Sequence, residues 1–147
     1  MNNQENQKGF SLIELLIVVV VIGIIAAIAV PALQKARAAA ENSTTVSTMR
    51  TINSAEASFY SQKGRFGRLT EIQAMMNNGL GATAGDRIVR GQYTFEMTPL
   101  IPTDLELKDQ FTITATRGGA TEVYKYELSQ SGVIVQILPV STVTLGN

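Results

Sequence analysis

A long apolar run follows a short polar segment at the start of the chain. Residues 1–9 are polar, and the run that begins at Phe10 continues through Leu33. Its main interruptions are Ser11, Glu14, Gly23 and Pro31. Because a helix rises about 1.5 Å per residue, residues 10–30 approach the roughly 30 Å of a bilayer core. The run is apolar on every face, whereas an amphipathic surface helix has a polar stripe, so the pattern predicts a membrane-inserted helix.

Beyond Pro31 the pattern becomes that of an amphipathic helix. Apolar side chains recur there at spacings of three and four residues, at Val46, Met49, Ile52, Ala55 and Phe59. The alanine-rich run 36–40 favours helix, and Gly64 is a natural stop. One helix is therefore predicted from Phe10 to about Gln62, with the apolar stripe of its second half packed against a core.

Alternating apolar and polar residues predict β-strands in the second half of the chain. Such runs occupy 93–97, 111–116, 124–128 and 133–138. Turns are predicted at Gly118-Gly119 and at Ser131-Gly132. The fold class predicted is α+β, with the C-terminal half of the long helix packed on an antiparallel sheet of about four strands.

The region between the helix and these strands, residues 64–91, is predicted to be loop with one short helix. Thr70 and Gln73 have the spacing of a capping box that would start this helix, and Gly79 would close it. The glycines at 79, 81 and 85 do not have the spacing of a phosphate-binding loop, and they are interpreted as turn residues.

The composition excludes several kinds of chemistry. The 147 residues include no Cys and no His, which excludes disulfides and thiolate sites and removes the commonest general base and metal ligand. The 12 basic residues equal the 12 acidic ones, so net charge gives no overall attraction to nucleic acid. We predict no catalytic residues, no metal site and no cofactor.

Charge is nevertheless distributed unevenly along the chain. Residues 35–90 contain eight basic and four acidic residues, whereas residues 91–147 contain three basic and six acidic ones. Such a dipolar head favours stacking of identical subunits, although ordinary solvated surface explains the asymmetry equally well.

Glu14 is a carboxylate placed one turn inside the apolar run. At membrane depth an unpaired carboxylate costs a few kcal/mol, which makes it a functional candidate. Cleavage after Gly9 would give Phe10 a new α-amine four residues before Glu14. Amine and carboxylate would then neutralise each other, within one chain or between neighbouring chains, and this pairing would set the axial register. The alternative is that Glu14 lies harmlessly at the level of the lipid headgroups.

The segment Lys8-Gly9-Phe10-Ser11-Leu12-Ile13-Glu14-Leu15 resembles the type III signal of type IV prepilins and type II secretion pseudopilins. The resemblance implies that a prepilin peptidase cuts between Gly9 and Phe10 and N-methylates Phe10. It also implies that Glu14 guides docking onto a neighbouring subunit and that Pro31, with Gly23 upstream, marks a helix bend. We expect residues 23–31 to be helical in the membrane and to stretch in the filament.

The same resemblance implies a type IV pilin-like fold and three parts: a removed leader (1–9), a transmembrane and filament-core helix (10–31), and an amphipathic helix half with a globular head (32–147). The implied partners are further copies of the chain and related minor pilins, the peptidase and methyltransferase, an inner-membrane platform and an assembly ATPase. Membrane lipid surrounds the helix before assembly. The bacterial subunit would start in the inner membrane and end in an extracellular pilus or a periplasmic filament, with secretion pseudopilin as the second interpretation.

Two other interpretations of the N-terminus remain. In an ordinary secretory signal peptide, residues 15–25 would be the apolar core and Ala27-Ile28-Ala29 the cleavage site. Glu14 interrupts the start of that core, and Lys8 is offset by Glu5, which counts against it. In the other interpretation the helix is a plain single-pass anchor without assembly.

Three weaker patterns complete the candidates. Calcium would need the carboxylates of Asp104, Glu106 and Asp109 to converge. A basic patch that binds DNA would need Arg65, Arg68, Arg87 and Arg90 to do so. Asn42-Ser43-Thr44 fits a glycosylation sequon. A solvated loop, an ordinary surface and chance explain the three patterns more simply.

Overall fold

The structure, a computed structural model, describes residues 10–118 and 124–138 and the backbone of 144–145. The leader with Gly9, and Gly119 of the predicted turn, lie outside the described residues. The chain divides into two compact units, Met1–Ala39 and Ala40–Asn147.

Helix α1 runs from Leu12 to Lys63, a length of 52 residues, and confirms the predicted long helix. In the first unit, every described side chain from Phe10 to Leu33 is exposed. Among the described helices, α1 alone is long and apolar enough to cross a membrane, a criterion that a signal sequence also meets. Pro31 lies inside the helix, which continues through residues 23–31. The stretching expected there concerns the filament and stays a prediction.

The second unit combines the rest of α1 with one antiparallel sheet. Its described strands are β1 (Ala82–Ala84), β2 (Arg87–Arg90), β3 (Tyr93–Met97), β4 (Thr112–Arg117), β5 (Lys125–Ser129), β6 (Ile134–Leu138) and β7 (Thr144–Leu145). Each strand pairs with the next along the chain, so the order in the sheet is the order in the sequence. A short helix α2 (Leu69–Met75) follows α1, and a 3-10 turn (Glu106–Lys108) precedes β4.

The core lies between the apolar stripe of α1 and one face of the sheet. Met49 and Ile52 are fully buried, and Phe95 and Ile113 meet them from β3 and β4 in one hydrophobic cluster. Alternate residues of β3 are buried because successive side chains of a strand point to opposite faces. The α+β prediction, the helix stripe and the four predicted strands are confirmed.

The region predicted to be loop contains strands that the sequence pattern did not indicate. β1 and β2 form a hairpin in which Thr83 pairs with Ile88, and Gly85 turns between them at a φ of +64°. The pattern was weak because β1 consists of small exposed residues and β2 has two apolar positions between arginines. The seven described strands therefore exceed the four predicted, with β7 also missed.

The predicted capping box of α2 was wrong. The N-cap is Arg68, two residues before Thr70, and the Glu71 carboxylate accepts a hydrogen bond of 2.8 Å from the backbone N–H of Arg68. Gln73 is buried instead, and its amide donates to the carbonyl of Gly81 at 2.7 Å. Gly79 lies beyond the end of α2 and donates to the Met76 carbonyl at 3.0 Å.

Candidate functional site

The segment that carries the predicted processing site is exposed at the start of α1. The side chain of Phe10 is 83% exposed. The backbone N–H groups of Glu14 and Leu15 donate to the carbonyl of Ser11 at 3.1 and 3.2 Å, so the helix begins directly after Ser11. Glu14 lies in the first turn, where the positive end of the helix dipole stabilises a carboxylate by about 0.3–1 kcal/mol. This stabilisation of the helix terminus is a second explanation for an acidic residue at position 14.

The surface of residues 12–33 is almost wholly apolar. Ile13, Leu16, Ile25 and Ile28 are each more than half exposed. A soluble monomer rarely exposes a contiguous apolar surface of this length, so the surface requires lipid or other helices as its surroundings. Gly23 has no side chain, and a methyl group built there would meet no other atom within 4 Å. A glycine of this kind permits close approach of another helix.

The head contains one fully buried carboxylate that sequence reasoning missed. Glu56 lies in the core-facing part of α1 with 0% of its surface exposed. Its Oε2 accepts a hydrogen bond of 2.7 Å from the N–H of Gly67, whereas Oε1 is buried without a hydrogen-bond partner. Burial is the main cause that raises the pKa of Glu56 from 4.5 to about 7. The available signal was its spacing, because Glu56 comes four residues after Ile52 and three before Phe59 and so lies on the apolar stripe of the helix.

Two arginines and two carboxylates form an ion-pair network beside the start of α2. Arg65 binds Glu71 through both carboxylate oxygens, at 2.9 and 2.8 Å. The Arg68 guanidinium donates a hydrogen bond of 2.6 Å to the carboxylate of Asp104, which lies 36 residues further along the chain. Hydrogen bonding by Arg65 is the main cause that lowers the pKa of Glu71 to about 2. This network ties α2 to the segment before β4.

Several residues of the calcium and DNA alternatives make contacts within the head. Glu106 accepts hydrogen bonds from the backbone and hydroxyl of Thr103. No group of three acidic side chains that could hold a metal occurs in the described part of the chain, Asp109 included. Arg87 pairs with Glu96 at 2.8 Å, and Arg90 donates to the carbonyls of Gly79 and Leu80. Arg65 and Arg68 share the network beside α2, whereas Arg87 and Arg90 make other contacts.

The residue of the glycosylation sequon also has a structural contact. The Oδ1 of Asn42 accepts a hydrogen bond of 2.7 Å from the hydroxyl of Tyr93. Burial raises the pKa of this tyrosine. One turn of helix is thereby fixed to β3, and the neighbouring Glu41 forms an ion pair with Arg117 of β4 at 3.2 Å. Asn42 thus serves the packing of helix on sheet.

A small cavity lies where β3 leads into the segment before β4. It has a volume of about 90 Å³ and is lined by Met97, Pro99, Leu107 and Phe111 among others. Ligand sites typically measure about 300–1,000 Å³. This cavity is therefore smaller than a typical ligand site.

The comparison with protein families identifies the N-terminal segment. Residues 5–30, which are 26 of the 147, match the model of the prokaryotic N-terminal methylation motif. The chain carries the signature of the type IV pilins and pseudopilins, a family of structural proteins processed by a prepilin peptidase. No curated protein and no solved structure matched the chain.

Proposed function

We propose that the chain is the structural subunit of a type IV pilus-like filament. A peptidase cuts between Gly9 and Phe10, the new amine of Phe10 is N-methylated, and the mature subunit waits in the inner membrane. Subunits then polymerise through the apolar half of α1. The observation that carries the proposal is the methylation motif at residues 5–30, which overlaps the apolar segment 10–33, where every side chain is exposed.

Physical chemistry supports this order of events. A helix that is apolar on every face is stable in lipid and equally stable among identical helices, so transfer from membrane to filament core exchanges similar surroundings. Glu14 is the exception, because its carboxylate needs a positive partner away from water. The amine of Phe10 in a neighbouring subunit supplies that charge only after cleavage. Processing would therefore be a precondition of assembly.

The intact mass of the protein from its native host tests the proposal. We expect a chain that starts at Phe10 and carries one additional methyl group, and filaments that contain it in the fraction sheared from cells. A chain that starts at Val30 would instead establish an ordinary signal peptide and overturn the proposal. A matched variant, Gly9→Leu, changes the residue directly before the proposed cut and should retain the leader and yield no filaments.

Pseudopilin of a type II secretion system is the second candidate, since the same motif opens both kinds of subunit. The two differ in partners and in filament length, and the chemistry of processing is the same. The neighbouring genes separate them: genes of a type II secretion system would indicate a pseudopilin, and genes of a type IV pilus would indicate a pilin.

A further inference from the structure

The connector between α1 and α2, residues 64–68, closes over a buried carboxyl group. Glu56 is the only charged side chain among the buried residues that the structure describes. Its Oε2 accepts the N–H of Gly67 at 2.7 Å, and Oε1 has no hydrogen-bond partner among the described residues. The connector fits tightly at this point, since a methyl group built on Gly67 would lie 3.3 Å from Cγ of Phe59. The connector thus helps to separate this carboxyl group from water.

The charges around the connector balance when Glu56 is neutral. Two cations, Arg65 and Arg68, form ion pairs of 2.6–3.8 Å with two carboxylates, Glu71 and Asp104. Arg65 directs both of its terminal nitrogens to Glu71, at 2.9 and 2.8 Å. An ionised Glu56 would add a third carboxylate to this group, without a hydrogen-bonded cation among the described residues. The arrangement therefore favours a proton on Glu56.

The charged groups that act on Glu56 are Arg65 of the connector and Glu71 of α2, and they act in opposite directions on its pKa. The sheet face of the core contributes apolar side chains such as Phe95 and Ile113. The hydrogen bond from the connector favours the ionised carboxylate, but burial has the larger effect and raises the pKa of Glu56 to about 7. An unpaired hydroxyl costs far less to bury than an unpaired carboxylate. The closed head therefore holds Glu56 in its protonated form.

The connector also holds the segment between β3 and β4, residues 98–111. The N–H of Phe66 donates to the carbonyl of Leu107 at 2.8 Å, and the guanidinium of Arg68 donates to the carbonyl of Pro102 at 3.1 Å. These two donors come directly before and after the glycine that binds the buried carboxyl group. Movement of the connector away from α1 would therefore break its contacts with residues 98–111 as well.

We propose that Glu56 and the connector form a proton-controlled latch in the head. With a proton on Glu56 the connector is closed and holds residues 98–111. When Glu56 loses this proton to solvent, the connector opens, water reaches the carboxylate, and the sheet with its helix stripe stays folded. Opening is favoured because it hydrates a charge that the closed head leaves without a hydrogen-bonded cation. The inference concerns the head alone and does not depend on the proposed filament function.

Hydrogen exchange of backbone amides, followed by NMR on the purified chain in detergent, tests the latch. Exchange rates are corrected for their intrinsic dependence on pH. Between about pH 5 and about pH 7.5 we expect the protection of the Gly67 and Phe66 amides to fall by roughly 50-fold, as linkage to the raised pKa of Glu56 requires. Glu56→Gln can still accept the Gly67 hydrogen bond and should show no such fall. Glu127→Gln, a matched change on β5, should behave like the wild type.

Dilute urea distinguishes opening of the connector from unfolding of the whole head. Local opening exposes little surface, so exchange of the Gly67 amide at the higher pH should be nearly independent of urea. The amides of Phe95 and Ile113, in the central strands β3 and β4, should exchange more slowly and should accelerate as urea is added. Equal protection and equal urea dependence at all of these amides would show that Glu56 acts only through global unfolding, and would overturn the latch.

A titration of the wild-type chain gives a second measurement that does not require a variant to fold. The carbon-13 resonance of the Glu56 carboxyl group should titrate with a midpoint near pH 7. The protection of the Gly67 amide should fall over the same pH range. A midpoint near pH 4.5, or a Gly67 protection that does not change with pH, would overturn the proposal.

Discussion

Oε2 of Glu56 lies 2.7 Å from the backbone nitrogen of Gly67, and the N–H donates to it. This bond joins the core face of α1 to the chain that turns back toward α2. Gly67 also packs tightly, since a methyl group built there would lie 2.6 Å from Cδ1 of Ile72. The carboxylate is therefore enclosed, and its ionisation is tied to the folded state of the head.

The stability of the head should consequently fall as pH rises toward neutrality. The pKa of Glu56 is raised from 4.5 to about 7 in the folded chain. A raised pKa gives a stabilising contribution that is fully present below about pH 4.5 and is lost as pH rises through about 7. This difference between the pKa of the folded chain and the ordinary value corresponds to a contribution on the order of 3 kcal/mol to the free energy of unfolding. Urea unfolding of the mature chain in detergent, followed by tyrosine circular dichroism, measures it.

Glu56→Gln separates this effect from other titrations. The amide oxygen can still accept the Gly67 hydrogen bond, so we expect the variant to lack the loss of stability between pH 4.5 and 7. Glu127→Gln, a substitution of the same type on β5, should retain it. An unchanged pH dependence in Glu56→Gln would show that Glu56 does not cause it.

The Arg65–Glu71 ion pair should act in the opposite direction at lower pH. Because the pKa of Glu71 is lowered from 4.5 to about 2, its contribution is present above pH 4.5 and is lost as pH falls through about 2. Glu71→Gln should therefore destabilise the head by about 1.5–3 kcal/mol at pH 6 and by little near pH 2. Asp104→Asn is the control, since Asp104 is 66% exposed and its ion pairs are expected to contribute less. Equal effects of Glu71→Gln at both pH values would contradict the assignment.

The hydrogen bond between Tyr93 and Asn42 should stabilise the packing of α1 on β3. Tyr93→Phe removes the donor and leaves the partly buried Asn42 amide without this bond, so we expect a loss of about 1 kcal/mol in the free energy of unfolding. Tyr60→Phe is the matched control, because Tyr60 is 42% exposed. If both variants unfold at the same urea concentration, the hydrogen bond makes no net contribution to the free energy of unfolding.

Glu14 should be required for assembly and dispensable for membrane insertion. In Glu14→Gln we expect normal processing to a methylated Phe10, membrane fractionation like that of the wild type, and a severe loss of filaments, because the neutral amide cannot balance a neighbour's amine. The measurement is filament yield relative to membrane-bound mature subunit. Wild-type yield would show that Glu14 only stabilises the helix terminus locally.

The segment between Gly23 and Pro31 should differ between subunit and filament. It is helical in the subunit, although Pro31 lacks the N–H for the bond to the carbonyl of Ala27. We expect stretched, non-helical density there in a cryo-electron-microscopy map of the filament. Continuous helical density through residues 23–31 would refute the expectation, and Pro31→Ala should favour such density.

Features with a local signature were predictable from the order of the residues. The long helix, the stripe at Met49 and Ile52, and the strands around Phe95 and Ile113 have periods of 3.6 or 2 that follow from backbone geometry. The cleavage motif is likewise contiguous, so the sequence alone sufficed to recognise it.

Features that join distant residues were decided by the tertiary structure. Arg68 and Asp104 are 36 residues apart, and Tyr93 and Asn42 are 51 apart, so no local pattern pairs them. The β1–β2 hairpin depends on packing that overrides weak local preference. Burial of Glu56 is the clearest case: its chemistry is set by low dielectric surroundings and the Gly67 N–H, and only the folded chain brings these together around one carboxylate.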